Sequence, residues 1–68
     1  MTQKEINHEI NFSLIDGPRN IYEVVEEISY ENRVDSMLVG SIVEKMVSQG
    51  WIDRSDSTIS LRFPYIVD

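Results

Sequence analysis

The chain has 68 residues, read as one domain over residues 1–68, with 41% hydrophobic and 26% charged residues and a net charge of −6. A chain this short buries only about 60% of the surface its unfolded form exposes, so it needs a compact core and leaves little room for a large catalytic cleft; the composition is too apolar for a disordered tail. The lack of cysteine excludes disulfides, thiolate zinc sites and cysteine nucleophiles, and twelve acids against six bases disfavour a non-specific nucleic-acid coat, which lives on Lys and Arg contacts to phosphate.

Met1 to Glu5 carries no basic segment leading into an apolar run, and no stretch approaches the roughly 18 apolar residues of a membrane span. The expected location is cytoplasmic, in a cell or in one infected by a phage.

Thr2 with Glu5 forms a capping-box pattern, and Ile6, Ile10 and Leu14 recur every four residues, which predicts a first helix over residues 3–14. Ile10, Phe12 and Leu14 also alternate with Asn11 and Ser13, so a strand stays open as the alternative. Asp16-Gly17-Pro18 is a turn signal that ends this element. Asn20 then suits the cap of a second helix, in which Ile21, Val24, Val25 and Ile28 make one apolar stripe. Glu23, Glu26, Glu27 and Glu31 occupy its other face. Ser29 to Val34 has no periodicity and reads as a turn or a frayed helix end.

Asp35 or Ser36 can cap a third helix, where Leu38, Val39, Ile42, Val43, Met46 and Val47 form a broad stripe. Met37, Gly40, Ser41, Glu44, Lys45 and Ser48 point elsewhere. Gly50 fits the left-handed position past a helix end. From there the period falls to two: Trp51-Ile52 reads as a short strand, Asp53 to Ser57 as a polar turn, and Ile59, Leu61 and Phe63 as a second strand ending near Pro64. Trp51 is expected in the core beneath the third helix, and Tyr22, Tyr30 and Tyr65 as half-buried packing residues.

The segment Val39 to Arg54, an apolar stripe ending in Gly50 and followed by Trp51-Ile52-Asp53-Arg54, resembles the recognition helix and first wing strand of bacterial winged-helix regulators, including the multiple-antibiotic-resistance type. Asp16-Gly17-Pro18 and the Asn20 to Ile28 stretch are similar to the approach to the second helix in such folds. The likeness spans residues 17 to 63. It implies a mainly α fold with a small β-hairpin, an α+β winged helix-turn-helix of three helices and a two-stranded wing.

The resemblance implies a small DNA-binding transcriptional regulator whose recognition helix, about residues 36–49, enters the major groove of double-stranded DNA. Ser36, Met37, Gly40, Ser41 and Lys45 are the base-facing candidates, and Arg19, Arg33, Arg54 and Arg62 the phosphate candidates. The sequence departs from that pattern: Lys45 sits beside Glu44, and Asp53 and Asp56 flank Arg54. The alternative is an acidic protein-interaction module, such as a phage or plasmid accessory factor that meets a host protein through Glu23, Glu26, Glu27 and Glu31. Glutamates in one exposed patch favour the second reading, and arginines sharing one face favour the first.

Catalysis is not expected. His8 is the single histidine and reads as an exposed helix residue, with no group placed to orient it. Glu26 and Glu27 are adjacent and diverge on a helix, and no phosphate-binding loop, metal-ligand spacing or dinucleotide fingerprint is present, so no cofactor or small-molecule ligand is expected. A weak homodimer through the apolar tail Tyr65, Ile66 and Val67 is the assembly reading.

Overall fold

The computed structural model describes residues 2–65. Both halves of the capping box form: the Thr2 hydroxyl accepts the Glu5 N–H, and the Glu5 carboxylate accepts the Thr2 N–H, each at 3.2 Å. The backbone N–H of Thr2 and then its hydroxyl hold the Glu5 carboxyl below its usual range. Helix α1 follows over Gln3–Ser13 with Ile6 and Ile10 buried and Leu14 buried as its cap. Phe12 is exposed, as a helix requires; the alternating strand does not form.

The remaining elements are β1 (Arg19–Asn20), α2 (Ile21–Asn32), α3 (Ser36–Ser48), β2 (Ile52–Ser55) and β3 (Thr58–Leu61). The fold is α+β, three helices with a small antiparallel sheet in the order β1-β3-β2. The sheet therefore has a third strand beyond the expected hairpin. Its two residues are too few to show a period, and only distant pairing makes them a strand: Arg19 lies opposite Ile59 and Asn20 opposite Thr58.

Helix α2 starts where Asn20 Oδ1 accepts the N–H groups of Tyr22 and Glu23 at 2.8 and 3.3 Å. It continues through Ser29 to Asn32, so of the two readings of this segment, a turn or a helix end, the helix end holds. Local polar bonds carry it: the Asn32 amide donates to the Ile28 carbonyl, and the Ser29 hydroxyl donates to the Val34 carbonyl. Arg33 then stops the helix in the left-handed region at φ 54°.

Asp35, of the two candidate caps, accepts the Met37 N–H at 2.8 Å and opens α3. Val39, Ile42, Val43 and Met46 are buried, but Leu38 is 47% exposed, so the apolar stripe is narrower than its sequence pattern. After α3 the Trp51 N–H reaches the Met46 carbonyl and the Gly50 N–H the Val47 carbonyl, with Gly50 at φ 81°. This pair of bonds is a Schellman ending and reverses the chain toward the sheet.

Trp51 is not core. Its side chain is 60% exposed while Ile52 is buried; adjacent residues entering a strand point to opposite faces, and Ile52 takes the inner one. Asp53 to Ser55, expected as turn, belong to β2, and the turn narrows to Asp56-Ser57 with Asp56 at φ 59°. Aspartate tolerates that left-handed position. Phe63 lies beyond β3 and is exposed.

Twelve residues from all three helices, the α1 cap and the hairpin make one continuous core, all of them hydrophobic. No helix of the described residues is long and apolar enough to cross a membrane.

Candidate functional site

Facing pairs in an antiparallel sheet project to the same side. The register sets Arg19 and Arg54 opposite Ile59 from its two neighbours, so Arg19, Ile59 and Arg54 form one row across the face that carries buried Ile59. Ile59 goes into the core, and each arginine turns outward to a helix. Arg19 donates to Glu27 of α2 at 2.9 Å. Arg54 pairs with Glu44 of α3 and donates from Nε to the Asp56 carbonyl at 2.9 Å. On the opposite sheet face, Arg62 contacts Asp53 Oδ1 through Nη2 and Nε at 2.8 and 2.9 Å.

Three of the four phosphate candidates are thus engaged by the chain's own carboxylates. The Arg19 hydrogen bond holds the Glu27 carboxyl below its usual range, and the same bond raises the guanidinium pKa. Arg33, the left-handed cap of α2, makes no ion pair among the described residues. The four arginines do not share one face: they belong to β1, the end of α2, β2 and the segment after β3.

The base-facing candidates separate as well. Met37, Ser41 and Lys45 follow one another at four-residue steps along the outside of α3, and a side chain at Gly40 would meet nothing within 4 Å. Ser41 and Lys45 also line a small groove against α1, whose wall includes Ile6, Leu38 and Ile42. Ser36 opens the other way, into a shallow groove of about 690 Å³ lined by Arg19, Glu23, Glu26, Glu27, Ser29 and Tyr30.

That groove belongs to the acidic face of α2, which is contiguous. Glu23, Glu27 and Glu31 form one row at four-residue spacing, and Tyr22, Glu26 and Tyr30 form the row beside it; all six are exposed. The expectation of half-buried tyrosines fails here. Tyr30 is 87% exposed; Ile21, Val24 and Ile28 already fill the inner face of α2, leaving Tyr22 and Tyr30 the outer one. The spacing of Tyr22, Glu26 and Tyr30 was the signal available in the sequence.

Tyr65 is half-buried as expected. Its hydroxyl is hydrogen-bonded to Nδ1 of exposed His8 at 2.5 Å, and His8 in turn lies near Phe12. The tail residues Ile66 and Val67 lie outside the described residues. Among the described residues, no three of His, Asp or Glu gather to hold a metal ion.

No family model matches the chain, and no curated protein or solved structure matches it.

Proposed function

We propose that this chain is a protein-interaction module of winged-helix layout whose α2 face receives a basic segment of a partner protein. The observation that carries the reading is the position of Ser36: the start of the third helix shares its groove with Glu23, Glu26 and Glu27. A duplex lying along α3 would bring phosphates toward these carboxylates. Two like charges about 5 Å apart oppose one another by roughly 1 to 3 kcal/mol between water and a protein-surface dielectric. Freeing an arginine from an exposed ion pair costs only about 0.2 to 1 kcal/mol, so the glutamates, more than the engaged arginines, stand against DNA.

A basic segment meets the reverse situation. A guanidinium can take two carboxylate oxygens in one plane and stack on an aromatic ring, and Glu26 lies one helical turn from both Tyr22 and Tyr30. Exposed Tyr22 and Tyr30 supply the apolar contact that interface centres use. A second reading, a DNA-binding regulator, draws on the open outer face of Met37, Gly40, Ser41 and Lys45.

A titration of isotope-labelled protein with an arginine-rich peptide, followed by amide chemical shifts, tests the proposal. Shifts concentrated at Tyr22 to Glu31 and at Ser36 support it. Shifts confined to the outside of α3 and the hairpin, or none, count against it.

A further inference from the structure

Arg19 comes just before Asn20, the cap of α2, and its backbone is fixed opposite Ile59 in the sheet. Its guanidinium leaves the strand. It turns into the groove on α2, donates from Nη2 to Glu27 Oε2 at 2.9 Å, and lines the same wall as Glu23, Glu26 and Tyr30. The Glu27 bond raises the guanidinium pKa most, and the charge of Glu23, one helical turn from Glu27, adds to it. An arginine of the chain itself thus already sits on a carboxylate proposed to receive one from outside. Glu23 and Glu26 make no ion pair among the described residues.

We infer that Arg19 is a built-in competitor for the α2 groove, holding Glu27 until an arginine of the partner segment displaces it. The inference rests on the proposed function and adds a threshold to it. Both guests offer the same planar guanidinium to the same carboxylate. Glu27 has lone pairs enough for two such groups, but two positive charges on one carboxylate repel each other. Arg19 has solvent to leave into, its side chain being 32% exposed. The main chain need not move: the pairing with Ile59 and the Asn20 cap hold β1 and the start of α2, so release is a change of side-chain rotamer.

A site that is open only part of the time binds with an affinity reduced by that fraction. An exposed ion pair favours its closed form over its open form by a ratio of roughly 1.4 to 5. Arg19 should therefore weaken the binding of a basic segment by about two- to six-fold.

Titration of the full chain with the arginine-rich peptide, read from the amide shifts of α2, compares the unaltered protein with Arg19→Gln. The variant should bind about two- to six-fold more tightly. In the unaltered chain the Arg19 guanidinium signals, assigned by their absence from the variant, should move as peptide is added. Arg54→Gln is the charge control: it removes the same charge from the same row of the sheet, but two strands away. That is roughly 9 to 10 Å, past the screening length of about 8 Å at physiological salt, so it should bind as the unaltered chain does. An Arg19→Gln affinity no higher than that of the unaltered chain, or stationary Arg19 signals, with shifts still appearing along α2, would overturn the inference and leave the proposed function standing. Equal tightening in Arg54→Gln would reduce the effect to net charge and overturn it as well. No binding by any of the three chains would remove both.

Discussion

Arg19 and Arg54 stand on either side of Ile59 in one row across the sheet, and each reaches a glutamate on a different helix. The sheet is thereby tied to α2 through Glu27 and to α3 through Glu44. These ties also engage two arginines that a phosphate would otherwise meet free, although an exposed pair is released at small cost. The same pairs that fasten the sheet thus set the electrostatic character of the surface.

The Arg19–Glu27 tie has a pH signature. The folded Glu27 carboxyl titrates below the usual 4.5 because of the Arg19 hydrogen bond, so its contribution is complete above the unfolded value and is lost as the pH falls through the folded one. Arg19 stays charged throughout. Glu27→Gln should lower stability at neutral pH by under about 1 kcal/mol, as an exposed pair allows, and should flatten the acid limb of the stability profile. Urea melts at steps from neutral to acid pH measure this; an unchanged acid limb would speak against the pairing.

Trp51 is the single tryptophan, which makes its exposure directly observable. Its emission should lie close to that of a free indole side chain, respond readily to a neutral quencher, and shift little on unfolding. A blue-shifted, protected emission would return Trp51 to the core and contradict the strand register that gives Ile52 the inner face.

The α3 register separates two neighbouring apolar positions. Ile42→Asp places a charge in the core and should abolish cooperative folding. Leu38→Ser, at a half-exposed position, should change stability by no more than about 0.5 to 1 kcal/mol. Thermal melts of the two variants decide the register, and comparable losses would refute it.

Arg33 and Gly50 both hold left-handed backbone, and they should respond oppositely. A non-glycine residue there is strained by roughly 1 to 2 kcal/mol, so Arg33→Gly should raise the melting temperature. Gly50→Ala should lower it, because its Cβ would sit 3.0 Å from Arg62 Nη1 in addition to the strain at φ 81°. Calorimetry of both variants checks the pair of signs.

The helices were legible because their information is local. Thr2 with Glu5, the Asn20 cap, and the recurrence of Ile21, Val24 and Ile28 specify turns of helix within a few residues. β1 was not legible, since Arg19 and Asn20 become a strand only by meeting Ile59 and Thr58, some forty residues away. The same distance hid the arginine partners: Glu44 and Arg54 lie in different elements, and only the bend at Gly50 brings them together. The exposure of Trp51 and Leu38 was missed for another reason. Apolar identity suggests burial, yet a core this small is filled by its isoleucines and valines first. The acidic row on α2 was visible as glutamate spacing, while its place beside Ser36 depended on how α2 and α3 pack.

The central claim is that the α2 carboxylates beside the start of α3 exclude a duplex from this face. The most direct measurement is fluorescence anisotropy of a labelled random-sequence DNA duplex, at low and at moderate salt, with protein raised to tens of micromolar. Non-specific binders typically show dissociation constants of about 10⁻⁴ to 10⁻⁶ M at physiological salt and bind more tightly as salt is lowered. The account predicts no change in anisotropy for the unaltered chain at either salt. Micromolar binding that weakens steeply with salt and is reduced by Arg54→Ala or Lys45→Ala would contradict it, and would place the phosphate backbone on α3 and the hairpin instead.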